Sequence, residues 1–364
     1  MLELAVVIPT LNEVQNIEIL LSKLDVALKG VEWEVIFVDD DSRDGTPQLI
    51  RQLSLTDRGI RLLHRIGRRG LSSACLEGMM ASAAPYVAVM DADLQHDESV
   101  LPEMFQAART GGFDVVVASR NVEGGSMGEF ARHRQWLSDM GRKLSQSVCR
   151  CAIQDPMSGF FLVDRKFLDV VVRRASGISF KILVDLLASS ERPVRIKEVP
   201  YRFRNRIHGT SKLDGSNLVE FALLLADKRF GQYIPARFML FAAMGAIGAV
   251  VHAAVLIVLY RFEHVDFVVA QSVAAFLSMT VNFLTNNFVT YSDLRLRGWG
   301  LLGGLLTFYL ACSVGAVVNV TLAQRAYENG VPWYIAAAIG LVVGSVWNYA
   351  MTSILTWQRK RPKG

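Results

Sequence analysis

Four long stretches without a charged residue place the strongest constraint on the fold. They are residues 238–260, 267–292, 298–324 and 331–358. Each is at least as long as the roughly 20 residues that an α-helix needs to cross a bilayer. A helix buried in a soluble protein usually keeps a polar face, and these four have almost none. We therefore predict four transmembrane helices, at residues 237–260, 267–291, 299–324 and 332–357.

The charges predict how such a chain lies in the membrane. Residues 1–232 carry 30 basic and 30 acidic side chains, whereas residues 233–364 carry 9 basic and 4 acidic ones. With four spans both ends of the membrane part share one side, which holds Arg237, Arg295, Arg297 and the basic tail 359–363. The positive-inside rule predicts a multi-pass membrane protein whose N-terminal part and C-terminus are cytoplasmic. We interpret the tail as an anchor at anionic lipid, so no nucleic-acid partner is expected.

The N-terminal part has the pattern of an α/β fold. Residues 4–9, 34–38 and 86–90 are short β-prone runs, each followed by an acidic or amide-rich turn, and residues 17–28 have helical spacing. Strand, turn and helix in alternation predict a parallel sheet whose strands end at one edge. Asn12 is the expected N-cap of the first helix.

Acidic side chains follow two of these strands. Asp39 and Asp41 come after the second strand, and Asp91, Asp93 and Gln95 come after the third. In open α/β sheets ligands bind beyond the strand ends. Carboxylates there can accept hydrogen bonds from a base and a ribose, and paired hard oxygen donors suit Mg²⁺ or Mn²⁺ shared with a diphosphate. For three other residues of the second turn, simple turn and cap chemistry is an open alternative: Ser42, Asp44 and Thr46.

Three of these blocks together resemble the signature of inverting family 2 glycosyltransferases. They are residues 9–13 (PTLNE), 39–46 (DDDSRDGT) and 91–96 (DADLQH). Further blocks are similar to the polyprenyl-phosphate (dolichol-phosphate) mannosyltransferase branch: 118–120 (ASR), Arg134 with Ser138, 155–160 (DPMSGF), 181–183 (KIL), 199–201 (VPY), Arg206 and 209–213 (GTSKL). The resemblance covers residues 4–215 and implies a GT-A (Rossmann-like) domain that binds a nucleotide sugar. Asp97 and Met157 depart from it, because the family usually has Pro and a smaller residue there.

The resemblance also implies a set of site residues. The implied catalytic residues are Asp93, Arg120, Arg134, Ser138 and Asp155. The implied nucleotide-sugar ligands are Pro9, Thr10, Glu13, Val38, Asp39, Asp41, Asp91, Ala92, Lys181, Arg206 and Lys212. The implied ligands of Mg²⁺ or Mn²⁺ are Asp91, Asp93 and Gln95.

The implied reaction is a metal-dependent, inverting transfer of a hexose. Mannose would pass from GDP-mannose to a polyprenyl monophosphate, giving a β-linked product. The acceptor phosphate has a second pKa of about 6, so it is a nucleophile without a dedicated general base. Two alternatives stay open: a UDP-glucose-dependent polyprenyl-phosphate glucosyltransferase, and a non-catalytic lipid-sugar flippase or scaffold. The expected partners are the donor, the lipid phosphate and the bilayer, and a homo-oligomer is a further alternative.

The membrane part has a resemblance of its own. Residues 236–238 (ARF) and 282–291 (NFLTNNFVTY) are similar to the GtrA family of four-helix proteins. Asn282, Asn286 and Asn287 share one helix face, where we expect hydrogen bonds between helices. The predicted domains are a catalytic domain at 1–215, an amphipathic juxtamembrane helix at 216–234 and a GtrA-like domain at 235–358.

Overall fold

The protein divides into two compact units, Met1–Arg229 and Phe230–Gly364. The structure, a computed structural model, describes residues 2–125, 145–146, 148–149, 151–177, 180–204, 221, 224–229, 231, 234–291 and 294–357. Of the predicted juxtamembrane helix at 216–234, the structure describes residues 221, 224–229, 231 and 234, and residues 221 and 224–229 are helical. The position of this segment at the membrane and the exact domain limits stay predictions.

The described part of unit 1 contains seven strands, six α-helices with described bounds, and further helical residues at 145–146, 148, 221 and 224–229. The strands are β1 Leu4–Thr10, β2 Trp33–Asp39, β3 Ile60–His64, β4 Tyr86–Val89, β5 Val115–Ser119, β6 Phe161–Asp164 and β7 Ile196–Pro200. The helices are α1 Val14–Ala27, α2 Thr46–Thr56, α3 Leu71–Ala81, α4 Leu101–Gly111, α5 Arg165–Val171 and α6 Ile182–Ala188. A short 3₁₀ turn, Glu98–Val100, precedes α4.

The strands form one mixed sheet in the order β3-β2-β1-β4-β6-β5-β7. β1 pairs in parallel with β2 and β4, β2 with β3, and β5 with β7. β6 is antiparallel to both of its neighbours, β4 and β5. Six strands therefore run in one direction, and their carboxyl ends meet the amino end of β6 along one edge, which we call the carboxyl edge.

Helices cover both faces of this sheet. Ala5 and Val7 of β1 belong to a buried cluster with residues of α3, α5 and α6. Leu4, Val6 and Ile8 belong to a second cluster with residues of α1, α2 and α4. All five β1 side chains are fully buried, as expected for a parallel strand inside a sheet covered on both faces. The predicted α/β fold is confirmed.

Unit 2 contains long apolar helices. These are α7 Ala236–Leu256, α8 Phe267–Thr285, α9 Trp299–Glu328 and α10 Trp333–Leu355. π-helical turns at Ile257–Phe262 and Asn286–Thr290 extend the first two. In the described residues, four segments are long and apolar enough to cross a membrane: Arg237–Phe262, Phe267–Thr290, Trp299–Glu328 and Ala338–Leu355. The prediction of four transmembrane helices is confirmed.

Polar side chains hold parts of unit 2 together. Asn287 accepts hydrogen bonds from Trp357 Nε1 at 3.1 Å and from the backbone nitrogen of Leu296 at 2.9 Å. The interhelical role expected for the asparagines is therefore confirmed for Asn287. Asn286 instead donates within its own helix, to the carbonyl and the side chain of Asn282.

Candidate active site

The carboxyl edge of the sheet brings the predicted site residues together. Thr10 and Asp39 end β1 and β2, Asp91 follows β4, and Arg120 follows β5. Asp155 lies in the segment that leads into the amino end of β6 at the same edge. Residues far apart in the sequence are thus placed along one edge by the order and direction of the strands.

Strained backbone is concentrated in the loops of this edge. Among the described residues, four that are not glycine have a positive φ, and three of them follow strands β1, β2 and β4: Asn12 at 55°, Asp41 at 63° and Leu94 at 62°. Asn and Asp tolerate this left-handed conformation, whereas a buried leucine rarely adopts it. Such strain persists where the surrounding structure enforces it, and it is often found at functional sites.

Asn12 has a different role from the predicted one. The N-cap of α1 is Glu13, so the prediction that Asn12 caps this helix is wrong. Asn12 Oδ1 accepts a hydrogen bond from the backbone nitrogen of Arg43 at 2.9 Å, and the backbone nitrogen of Asn12 donates to Ser42 Oγ at 2.8 Å. Asn12 therefore connects the loop after β1 to the loop after β2.

The turn after β2 is built by its own side chains. Asp44 accepts hydrogen bonds from the backbone nitrogen of Val14 at 3.1 Å and from Thr46 Oγ1 at 2.6 Å. Burial alone would raise the pKa of Asp44, but these hydrogen bonds outweigh it and the pKa is lowered. Ser42 Oγ donates to Asp39 Oδ2 at 2.5 Å. Turn and cap chemistry is thus confirmed for Ser42, Asp44 and Thr46.

Asp39 and Asp41 differ in their exposure. Asp39 is fully buried, and it accepts hydrogen bonds from Thr10 Oγ1 at 3.2 Å and from the backbone nitrogen of Ser42 at 3.0 Å. The side chain of Asp41 is 35% exposed. His64 Nε2 lies 3.7 Å from a carboxylate oxygen of each. Asp41 can therefore reach a ligand directly, whereas Asp39 shapes the loop; direct binding by Asp39 stays a prediction.

The predicted metal ligands lie in one tight turn. Asp93 Oδ1 accepts a hydrogen bond from the backbone nitrogen of Gln95 at 3.1 Å. The Asp91 side chain is 40% exposed, and a Cβ on Gly159 would come within 3.2 Å of Asp91 Oδ2. The described residues contain no cluster of three or more His, Cys, Asp or Glu side chains that could hold a metal. Two carboxylates and an amide nevertheless fit Mg²⁺ or Mn²⁺, because these ions keep coordination positions for phosphate oxygens.

His96 lies against this turn. Its Nδ1 accepts from the backbone nitrogen of Asp91 at 3.4 Å, and its Nε2 is 3.6 Å from Asp91 Oδ2. The ring stacks on Phe160 with centroids 5.2 Å apart, and Tyr201 and Phe203 complete an aromatic enclosure. Burial lowers the pKa of His96 to about 4. The imidazole is therefore neutral near pH 7 and faces the Asp91 carboxylate with its Nε2–H.

Arg120 and Asp155 form a buried, two-pronged ion pair. Arg120 Nε donates to Asp155 Oδ2 at 2.8 Å, and an Arg120 terminal nitrogen donates to Oδ1 at 2.9 Å. The side chain of Asp155 is 2% exposed, and Glu198 accepts from its backbone nitrogen at 3.0 Å. Burial alone would lower the pKa of Arg120, but the hydrogen bonds and charge of Asp155 raise it.

Lys181 adds a second cation near this pair. Its Nζ donates to the carbonyl oxygen of Met157 at 3.3 Å and lies 4.7 Å from the centroid of the Phe180 ring. Burial and the charge of Arg120 lower the pKa of Lys181 to about 8, against the opposing charges of Asp155 and Asp91. The site therefore combines two cations with the acidic turn after β4.

The remaining predicted residues separate into two groups. Within the described part, Pro9 and Val38 lie in strands, Glu13 at the start of α1 and Ala92 in the acidic turn. Arg134, Ser138, Arg206 and Lys212 lie outside the described residues. The sequence-based prediction of site residues omitted several side chains that contact the site: His64, His96, Glu198, Tyr201 and Arg204. His96 belongs to the DADLQH block and Tyr201 to the VPY block, so both could have been included from those blocks, but the other three have no local signal.

Comparison with known proteins agrees with this architecture. A family model described as glycosyl transferase family 2 matches residues 5–172, and a model described as GtrA/DPMS, transmembrane domain, matches residues 240–357. The fold and these two matches define a glycosyltransferase with a transmembrane domain. A dolichol-phosphate mannosyltransferase from Pyrococcus furiosus is 32% identical over 362 residues, which is 98% of this chain and 99% of that protein. The chain belongs to the dolichol-phosphate mannosyltransferase family of enzymes.

Two further similarities are more limited. A dolichol-phosphate mannosyltransferase from Saccharomyces cerevisiae is 32% identical over 235 residues, which cover 62% of this chain and 86% of that protein. A crystal structure of glucosyl-3-phosphoglycerate synthase from Mycobacterium tuberculosis with UDP matches with a TM-score of 0.46 and 22% identity. It covers 62% of this chain and 79% of the other.

Proposed function

We propose that this enzyme transfers mannose from GDP-mannose to a polyprenyl monophosphate, with Mg²⁺ or Mn²⁺ bound. The near full-length similarity to a relative named for mannosyl transfer to dolichol phosphate supports the substrates. The observation that carries the chemistry is the position of the Arg120–Asp155 pair at the same sheet edge as the acidic turn of Asp91 and Asp93. Arg120 can bind the phosphate of the acceptor, while a divalent ion on the acidic turn can stabilise the departing diphosphate.

Arg120 has the donors that an acceptor phosphate requires. A guanidinium carries five N–H groups. Asp155 accepts from two side-chain nitrogens of Arg120, which leaves about three N–H groups for another ligand. Asp155 thus fixes one edge of the planar fork, and the other edge can bind phosphate oxygens in two places at once. Arg134 and Ser138 are proposed to complete this grip.

The donor is proposed to bind across the acidic turns. Asp41 is exposed enough to accept hydrogen bonds from the nucleoside, and the charge of Lys181 can neutralise a phosphate oxygen. Arg206 and Lys212 are proposed to reach the diphosphate as well. A divalent ion on Asp91, Asp93 and Gln95 would offset the negative charge of the leaving diphosphate. Because Gly159 has no side chain, it leaves room for the Asp91 carboxylate to turn toward this ion.

A single displacement is sufficient for this reaction. The acceptor phosphate is already ionised near neutral pH, so the protein has to align it rather than deprotonate it. Attack opposite to the leaving diphosphate inverts the anomeric carbon, and an α-linked donor then gives a β-linked lipid phosphate. We also propose that the catalytic unit faces the cytoplasm, as the basic residues beside the spans indicate.

A lipid-extraction assay tests the proposal. Membranes containing the full chain are incubated with polyprenyl phosphate and either radiolabelled GDP-mannose or UDP-glucose, with Mn²⁺. We expect label in the lipid phase from GDP-mannose only. Asp93→Asn should abolish it, whereas Asp169→Asn, a change at a carboxylate that is 56% exposed on α5, should not. Label from UDP-glucose alone would replace mannose by glucose, and no label from either donor would refute lipid-phosphate transfer.

A further inference from the structure

Arg204, which follows β7, contacts the turn that carries Gln95. We propose that Arg204 is a positioning residue that fixes the amide oxygen of Gln95 for the divalent ion. This inference rests on the proposed function, because it assumes that Gln95 is a metal ligand. It concerns a residue outside the proposed set of metal and substrate ligands.

The backbone of Arg204 binds Gln95 in two places. The backbone nitrogen of Arg204 donates to the carbonyl oxygen of Gln95 at 2.8 Å. Gln95 Nε2 donates to the carbonyl oxygen of Arg204 at 3.1 Å. Only the amide nitrogen can donate to a carbonyl, so this bond decides which end of the side chain points to Arg204. The amide oxygen, the only end of that side chain that can bind a cation, is directed elsewhere.

The side chain of Arg204 fastens its backbone to the same turn. One terminal nitrogen donates to Asp97 Oδ1 and the other to Glu98 Oε2, each at 2.7 Å. The side chain of Glu98 is only 9% exposed, and it also accepts from Lys23 Nζ of α1 at 3.1 Å. Arg204 therefore contacts Gln95, Asp97 and Glu98 together, and the two ion pairs keep its carbonyl facing the Gln95 amide.

Asp97 is the position at which this chain departs from its family's usual proline. Its carboxylate binds Arg204 and also accepts from the backbone nitrogen of Ser99 at 3.1 Å, capping the 3₁₀ turn before α4. Proline has no side-chain acceptor, so it could provide neither contact. In this chain the substitution supplies a second carboxylate for Arg204, and it strengthens the attachment of Arg204 to the Gln95 turn.

Mn²⁺ binding tests the role of Arg204 without relying on turnover. The full chain in detergent micelles is titrated with Mn²⁺ in the presence of GDP, and free Mn²⁺ is followed by electron paramagnetic resonance. We expect Arg204→Met to weaken Mn²⁺ binding about tenfold, the scale of outer-shell changes at metal sites. Arg61→Met is the matched control, because it removes an ion pair of similar length, 3.0 Å to Glu34, away from the acidic turn. It should leave Mn²⁺ binding unchanged.

A double-mutant cycle distinguishes positioning from a general structural role. If Arg204 acts through the Gln95 amide, Arg204→Met should have almost no further effect on Mn²⁺ binding in a Gln95→Ala background. Equal weakening in both backgrounds would overturn the inference. So would unchanged Mn²⁺ binding in a folded Arg204→Met protein. If this variant does not fold, Asp97→Asn takes its place in the cycle, since asparagine keeps the cap but removes the charge, and the same two outcomes decide.

The wild-type titration keeps the two proposals separate. If the wild-type protein with GDP does not bind Mn²⁺, the metal part of the proposed function is refuted. If it binds Mn²⁺ and loses it in Gln95→Ala but not in any Arg204 variant, the proposed function stands and the positioning role is refuted.

Discussion

Arg120→Lys is the most direct test of the reaction geometry. Lysine keeps the positive charge but has a single ammonium group, which cannot both hold Asp155 at two oxygens and bind a phosphate. The change removes at least one charge-assisted hydrogen bond, from the bonds of 2.8 and 2.9 Å to Asp155 or from those to the phosphate. Such a bond contributes about 1.5–3 kcal/mol. We therefore expect kcat/KM for polyprenyl phosphate to fall about 10- to 150-fold.

The chain offers a matched control for this experiment. Arg192 also forms a two-pronged pair, with Asp114 at 2.7 and 2.8 Å, but Asp114 precedes β5 and lies at the opposite edge of the sheet. Arg192→Lys should leave kcat/KM for both substrates unchanged. The assay measures label transferred to lipid at saturating GDP-mannose over a range of lipid phosphate concentrations. Wild-type kcat/KM in Arg120→Lys, or an equal loss in Arg192→Lys, would refute the reasoning.

Three further outcomes are expected. Because the pKa of Lys181 is about 8, its charge is present below that pH and lost above it. We therefore expect kcat/KM for GDP-mannose, measured from about pH 6 to about pH 10, to fall as the pH rises through about 8. Lys181→Arg should remove this fall, because arginine stays charged over the whole range. The product should be β-linked, since a single displacement inverts the anomeric carbon; an α-anomer in the nuclear magnetic resonance spectrum of the extracted lipid would exclude that mechanism. Gly315→Val should lower the melting temperature in detergent, because a Cβ there would overlap the Asn348 side chain, whereas Gly303→Val meets open space; equal melting temperatures would contradict the packing of α9 on α10.

The strands that the sequence predicted are those with the clearest local signal. β1, β2 and β4 are continuous apolar runs because helices cover both faces of the sheet at the centre. β3 was not predicted. It lies at the end of the sheet, all its residues are only partly buried, and it carries Arg61 and His64, so its pattern is weak.

β6 shows that strand direction and pairing are harder to predict from the sequence than the presence of a strand. It spans only four residues, Phe161–Asp164, and inserts antiparallel between β4 and β5. Nothing in a four-residue apolar run specifies its direction or its neighbours, because the pairing partners lie 44 to 78 residues away in the sequence. Yet this strand places Asp155 at the carboxyl edge, so the meeting of Asp155 with Arg120 could be inferred only from the family resemblance.

The site shows why a motif does not reveal which of its residues contact a ligand. Asp39 and Asp41 are equivalent in the sequence, two residues apart in one acidic block. In the structure Asp39 is fully buried and accepts hydrogen bonds from Thr10 and Ser42, while Asp41 has a left-handed backbone and a side chain that is 35% exposed. The difference arises from contacts with the β1 loop, about 30 positions away. Arg204 is the converse case, because it lies in no motif and yet forms four bonds to the turn that carries Gln95. A family motif therefore locates the reacting groups, and the side chains that orient them become visible only when the strands are brought to one edge.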